Sequence, residues 1–283
     1  MDTRRPDMDD MADDVARRMS RLNSEFYRLQ ASSFSATRHN RWPGWDRCLS
    51  HLVGDRAAPW DAGGASLRVL DLAAGNLRFA TFLARALPRR RIDYHAVDNC
   101  EDLMATAPDA VSSGRVAVAT HKVDVVGALL DGDLPTRLAT AGLGPELGRG
   151  FDLVVSFGFL HHVPGEAARQ RLLQGLVAAT HPGGLCCVSL WRFMSEPGLA
   201  ERARATTAQA LDALGLDAQD LGPGDYLLGW QRLPGAWRYC HSFGDAEVER
   251  LAGAVGDSAR LLGNFSSDGR TSSLNRYLVF RRS

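Results

Sequence analysis

The spacing of apolar positions changes period several times along the chain, and each change marks an element. Between Met11 and Leu29 the apolar residues Met11, Val15, Met19, Leu22, Phe26 and Leu29 step by three or four, which predicts an amphipathic helix with one covering face. Ala31 to Trp45 loses that period and predicts a loop. Within it Trp42-Pro43-Gly44-Trp45 breaks regular structure, and a short helix follows through Cys48 to Val53. A Gly/Ala/Pro-rich linker then runs to Ser66. The run Val69, Leu70, Leu72 reads as a buried strand entering a tight turn at Ala73, Ala74 and Gly75. Phe79, Phe82, Leu83, Ala86 and Leu87 return to helical spacing until Pro88 stops them, and Tyr94 to Val97 form a second strand closed by Asp98. Together these make a β-α-β unit.

The alternation continues downstream. Asn99 to Ala107 predicts a short helix, Val116 to Ala119 a third strand, and Gly132 to Gly150 a loop with a possible short helix. Phe151 to Ser156 is a strongly apolar fourth strand running into Gly158-Phe-Leu-His-His162. Next come a helix over Glu166 to Ala179, a break at Pro182-Gly183-Gly184, and a fifth strand over Leu185 to Trp191. Glu196 to Leu216 reads as an alanine-rich helix. Asp225 to Trp230 and Trp237 to Phe243 read as strands joined at Leu233-Pro-Gly, Asp245 to Ala254 as a helix, and Ala259 to Phe265 with Leu274 to Phe280 as a closing hairpin. Strands alternating with helices predict an α/β fold with a doubly wound, mostly parallel, seven-stranded Rossmann-like sheet, because right-handed crossovers place helices on both faces. The terminal hairpin is expected on the sheet edge, antiparallel. The expected organisation is a polar, disordered tail over residues 1–9, a helical cap over 10–58, and one α/β domain over 59–283 with 192–243 inserted as a lid.

Composition narrows the partners more than the fold. With 283 residues, 45% of them hydrophobic, the chain can bury one full core. Lys+Arg and Asp+Glu both number 33, so no net field advertises a nucleic acid or a membrane, and Lys122 is the only lysine. The cysteines Cys48, Cys100, Cys186, Cys187 and Cys240 show no C-x-x-C spacing, so no zinc site or disulfide framework is indicated. No apolar run reaches the roughly 18 residues of a membrane span. The N-terminus carries Asp2, Asp7, Asp9 and Asp10 where a signal peptide would be basic and then apolar, so a cytoplasmic location is expected.

The candidate chemistry sits first in the turn after the opening strand. Gly75 lets backbone approach a ligand, and the Asp98 carboxylate is placed to accept hydrogen bonds from ribose hydroxyls. A dinucleotide fingerprint would need glycine at the positions held by Ala73, Gly75 and Arg78, and Arg78 is too bulky for the third, so a nicotinamide or flavin dinucleotide is disfavoured. His161 and His162 stand where the fourth strand ends, the edge at which open α/β sheets bind ligands. Either can act as a base or donor, or simply satisfy the turn. Asp124 follows the third strand and is either a ligand acceptor or a helix N-cap. Tyr239 and His241 flank Cys240 on one strand face, where His241 can equally be structural.

An acidic strand end before a small-residue turn resembles the S-adenosylmethionine site of class I methyltransferases, D-x-G-x-G-x-G in that family. Here Asp71 and Gly75 are kept, and Ala73 and Leu77 replace the outer glycines. The resemblance narrows along the chain. Phe34-SATRHNRWP-Pro43, Asp71 to Arg78, Val155-SFGFLHHV-Val163, His181-PGG-Gly184, Arg238-YCHSF-Phe243 and Asn275-RYLVF-Phe280 fall in the order seen in the tRNA wobble-uridine carboxyl methyltransferases, which act on 5-carboxymethyluridine. T-R-x-x-x-W-P and R-Y-x-H-x-F are the more specific segments.

The resemblance implies S-adenosylmethionine as cofactor, held by Arg38, Asp71, Ala73, Gly75, Asp98, Asn99, Asp124, Val125 and Phe157. Arg38 would take the methionine carboxylate, Asp98 the ribose, and Asp124 with the backbone of Val125 the adenine. On the acceptor side it implies Arg238, with His161, Tyr239 and His241 as catalytic candidates and no metal. The expected acceptor is tRNA, with a small activator protein used in some lineages. A small-molecule acceptor on the same scaffold, or a catalytically silent cofactor-binding subunit, are the alternatives.

Overall fold

The computed structural model describes residues 11–38, 40–53, 66–106, 114–144 and 150–283. The tail and the linker expected from sequence lie outside the described residues. Seven strands form one sheet: β1 (Leu67–Leu72), β2 (Ile92–Asp98), β3 (Val116–Lys122), β4 (Phe151–Ser156), β5 (Thr180–Trp191), β8 (Ala259–Ser267) and β9 (Asn275–Arg282). Their order is β3-β2-β1-β4-β5-β9-β8, with β1 to β5 parallel and β9 antiparallel to both β5 and β8. The mostly parallel sheet with an antiparallel edge pair is therefore as the alternation predicts. Strand β5 begins earlier than expected, because Thr180 pairs with Phe151 and the chain stays extended through Pro182-Gly183-Gly184.

Helices cover both faces. Apolar side chains of α5 (Val125–Asp131), α7 (Glu166–Ala179) and α9 (Asp245–Gly253) bury one sheet face through Leu129, Leu172, Leu173, Leu176 and Leu251. On the other face Trp45 and Leu52 of α2 (Pro43–Val53) meet Phe79, Phe82 and Leu83 of α3 (Arg78–Ala86) over Tyr94, Val155 and Tyr277. Three elements depart from the sequence pattern. The α5 helix is short and follows directly on Asp124, so no full helical period advertises it. The α2 helix starts at Pro43, since proline is compatible with the first helical position, where its missing N–H costs nothing. The first helix, α1 (Asp13–Ser35), runs past Ala31 because a second face carries it onward. Along that face Asn23, Tyr27, Ala31 and Phe34 pack inward, while Leu29, expected on the covered stripe, is 60% exposed.

The corner after Pro43 and the last strand meet in space. The Gly44 N–H donates to Asp268 Oδ1 at 3.0 Å, and Asn275 Nδ2 and the Tyr277 hydroxyl donate to Asp268 Oδ2. Gly44 lies flat on the Tyr277 ring, so an added Cβ would come within 2.3 Å of it. Glycine is required there by contact with no room for a side chain.

A separate two-stranded sheet, β6 (Asp225–Gly229) and β7 (Trp237–His241), follows α8 (Pro197–Leu214). It packs on α1, with Val15 and Met19 against Leu227 and Tyr239. Asn23 of α1 completes the hairpin as an extra strand residue would. Its Oδ1 accepts from the Tyr239 N–H at 2.7 Å, and its Nδ2 donates to the Tyr239 carbonyl at 3.1 Å. The remaining helices, α4 (Glu101–Met104) and α6 (Leu134–Thr140), are short and flank the β2 and β3 ends of the sheet.

Candidate active site

A cavity of about 450 Å³ opens at the carboxyl ends of β1, β2, β4 and β5, where the strand order reverses beside β1. Its floor is the turn after β1. Ala73, Gly75 and Leu77 all take left-handed φ values, 65°, 55° and 57°, so the backbone follows the course that glycines ordinarily permit. For alanine and leucine this costs roughly 1–2 kcal/mol each. Burial of Leu77 between α2 and α3 offsets the cost at its position. The turn is pinned from below, with the N–H groups of Ala73 and Ala74 donating to the Val97 carbonyl at 2.7 and 3.1 Å.

Asp98 is fixed by two backbone donors. Gly75 N–H gives to Oδ2 and Cys100 N–H to Oδ1, both at 2.9 Å. Burial raises the carboxyl above its ordinary value, while these two N–H groups pull it back. The residue lines the cavity beside Asn99, whose Nδ2 donates to Ser24 of α1 at 3.0 Å. Ala73, Phe157 and Arg38 line the same cavity. The Arg38 guanidinium stacks on Phe34 at 4.6 Å, and the Asn76 amide ties the turn to the Arg38 carbonyl and to Ser35 Oγ.

One cofactor-side residue expected from sequence takes another place, and a second carries a structural task as well. Asp71 does not reach the cavity. Its carboxylate accepts from the Tyr94 hydroxyl inside the sheet, where burial pushes it up to about 7. Asp124 lines the cavity, but its Oδ1 accepts from the Gly127 N–H at 2.9 Å, so its side chain serves as the N-cap of α5. Val126, one residue beyond Val125, is the α5 side chain in the cavity wall.

The opposite wall is built from the insertion and α1. Arg238 is 5% exposed, with its guanidinium 4.9 Å from the Phe26 ring, 5.2 Å from Trp230 and 5.9 Å from Phe34. Its Nε and Nη1 have no hydrogen-bond partner among the described residues. Three aromatic faces and no carboxylate thus surround a buried cation at the wall of an open cavity. His161 lines the cavity beside it, edge-on to Trp191, and its Nδ1 is likewise buried without a partner. Burial, with His162 and Arg238 close by, holds His161 well below the ordinary histidine range. Both adjacent histidines face the cavity, but His162 is fully engaged: Nδ1 donates to the Tyr239 carbonyl at 2.9 Å and Nε2 accepts from the Tyr27 hydroxyl at 2.7 Å.

Tyr239 and His241 do share a strand face, and that face turns away from the cavity. The Tyr239 hydroxyl donates to Asp225 Oδ1 at 2.6 Å; His241 Nδ1 meets the same oxygen at 2.7 Å, and its Nε2 meets Glu247 Oε2 at 2.6 Å. Arg169 closes the network on Glu247 at 2.8 Å. Alternation along β7 explains the outcome, since Arg238 and the Tyr239/His241 pair must project on opposite sides. The pair is structural, a buried ionic brace behind the wall that carries Arg238.

His161, His162 and Cys240 bring ligand atoms within 4.8 Å of one another. To hold a metal ion, such a triad needs His162 to release the partner on one ring nitrogen and the Arg238 charge to be tolerated beside it, which disfavours a cation.

No family profile matches the sequence, and no curated protein does. Solved structures do. An S-adenosylmethionine-dependent methyltransferase from Clostridium acetobutylicum superposes with a TM-score of 0.52 at 9% identity, over 92% of this chain and 98% of that one. A second, from Anabaena variabilis, superposes with a TM-score of 0.52 at 12% identity, over 93% and 95%. The chain has the class I methyltransferase fold.

Proposed function

We propose that this chain is an S-adenosylmethionine-dependent methyltransferase whose acceptor presents a carboxylate, the wobble carboxymethyluridine of tRNA being the acceptor its motif segments favour. The observation that carries the reading is Arg238, a buried guanidinium with two unpaired nitrogens in the same cavity as Asp98 and Gly75. A buried charge without a partner is costly, and an anionic ligand removes the cost. Bound S-adenosylmethionine would supply an electrophilic methyl on a sulfonium. Asp98 would accept from the ribose hydroxyls, the Ala73 to Gly75 backbone would lie along the ligand, and Arg38 would meet the methionine carboxylate. The segment 192–243 would serve as the substrate-side wall.

His161 bears on the choice of acceptor. An imidazole held well below its ordinary range is a weak base at neutral pH. A carboxylate acceptor needs none, because it is already ionised and its oxygen attacks the methyl as the carbon–sulfur bond breaks, giving a neutral ester and a neutral thioether. The chain's task is then orientation and exclusion of water, for which Trp191 and Phe34 supply apolar wall, with Trp230 packed behind Phe34. Nucleoside mass spectrometry on tRNA from a strain lacking the gene tests the acceptor. The expected result is accumulation of the free carboxymethyluridine and loss of its methyl ester; an unchanged nucleoside profile would leave a small-molecule carboxylate as the acceptor.

A further inference from the structure

A second cavity, of about 580 Å³, adjoins the first and shares Arg38, Asn40, Arg41, Asn76 and Arg78 with it. Arg85, in the last turn of α3, extends its wall. The wall thus carries four arginines, and no carboxylate is among its described residues. Two of the cations are held in place by aromatic rings and neutral oxygens. Arg78 stacks on Trp42 at 4.5 Å and Trp45 at 5.2 Å and donates to the Asn40 carbonyl at 3.2 Å, while Arg38 stacks on Phe34. Arg41 pairs with Asp46 at 2.9 Å, and Asp71 and Asp268 act on Arg78 from nearby; none of the three carboxylates is part of the wall. Crowding has a visible consequence: burial, and Arg38 beside it, lower Arg78 to about 10.

In a chain with as many acidic as basic residues, such a concentration on one wall points to a ligand bearing more than one negative charge. One carboxylate would neutralise one guanidinium. Phosphate groups, repeated along a chain or carried on a nucleotide, neutralise several, and the guanidinium fork matches their oxygens. Because the two cavities share a wall, a molecule whose reactive group enters the first can lay its phosphates in the second. We propose that this arginine groove binds phosphate groups carried by the methyl acceptor. The word acceptor rests on the methyltransferase reading; the binding itself does not.

The test is therefore a binding measurement that needs no turnover. A labelled single-stranded oligoribonucleotide is titrated by fluorescence anisotropy against the wild type, Arg85→Glu and the Arg41→Glu/Arg85→Glu double variant at several salt concentrations, with a nucleoside triphosphate as the second probe. S-adenosylmethionine affinity of Arg85→Glu is measured separately by calorimetry. We expect Arg85→Glu to weaken oligonucleotide binding about tenfold and to lower the slope of log K against log salt by roughly 0.7, as for one lost phosphate contact. The double variant should lose more, with cofactor affinity unchanged for Arg85→Glu. Arg85-dependent binding of the triphosphate alone would assign the groove to a small phosphorylated acceptor. Binding of both probes that ignores both variants would overturn the proposal. Intact, Arg85-dependent binding in a chain with no affinity for S-adenosylmethionine would instead count against the methyltransferase reading and leave the groove standing.

Discussion

Arg238 and His161 stand side by side in one wall, and they answer differently to the identity of the acceptor. With a carboxylate acceptor, Arg238→Ala removes a charged hydrogen bond at the reacting group and should lower kcat/KM by about 2–4 kcal/mol, a factor of tens to several hundred, while cofactor affinity stays as it was. Arg238→Lys should recover only part of that, since it keeps the charge and loses the planar fork. His161→Ala should be mild. An active Arg238→Ala enzyme beside a dead His161→Ala enzyme would show that the acceptor needs a base. A second residue-scale prediction concerns pH. Asp71 is raised in the fold from an ordinary value near 3.8 to about 7, so the folded chain holds a proton that the unfolded chain releases. Its contribution to stability is full below pH 4 and is lost as pH rises toward 7. Urea denaturation should therefore show wild-type stability falling relative to Asp71→Asn across that window, by on the order of 1 kcal/mol per pH unit. A constant difference between the two would mean that Asp71 is ionised in the fold.

At the scale of elements, the β-α-β unit was legible because everything that defines it is local. The apolar run, the turn and Asp98 lie in one short stretch, and the hydrogen bonds from Gly75 and Cys100 to Asp98 follow from that stretch alone. The opposite wall was not. Asn23 reaches Tyr239, 216 positions away, and Tyr27 reaches His162, 135 positions away. Both Asn23 and Tyr27 read as the polar flank of a helix whose apolar stripe was drawn through Leu29. The strand β7 does carry a signal: if Arg238 faces the cavity, period two alone turns Tyr239 and His241 away. Two element-scale predictions follow from the packing. Gly44→Ala places a methyl inside the Tyr277 ring and should destabilise the fold by at least 1–3 kcal/mol in denaturant titration, whereas a surface glycine such as Gly198 should tolerate alanine. His241→Ala leaves Asp225 with Tyr239 and the Gly222 N–H, and Glu247 with Arg169. Breaking such a buried brace should cost about 3–5 kcal/mol in stability. If His241 were instead catalytic, activity would vanish with stability unchanged.

For the molecule as a whole, the strand order places every ligand-facing loop at one edge of the sheet, and α1 with the β6–β7 hairpin covers that edge. The cover is assembled from sequence extremes: α1 near the start, Arg238 and Trp230 late in the chain, and Asp268 with Asn275 locking the Gly44 corner. The seven-stranded sheet was readable from alternation, since its strands are apolar and short and its helices amphipathic. How the cap and the insertion meet was not readable, because a helix face and a hairpin edge carry no mark naming each other. Deleting the hairpin should therefore expose the cavity and abolish acceptor binding, while the sheet and its cofactor-side turn remain.

The central claim is that the turn after β1 and the Asp98 carboxylate form an S-adenosylmethionine site. Calorimetric titration of S-adenosylmethionine into the wild type and Asp98→Ala tests it most directly. Asp98 lines the cavity with its carboxylate fixed by backbone N–H groups, so the wild type should bind. The variant should lose about 1.5–3 kcal/mol, tenfold or more in affinity, with its thermal transition still cooperative. A wild type that takes up no S-adenosylmethionine, or an Asp98→Ala chain that binds it as tightly as the wild type, would contradict the account.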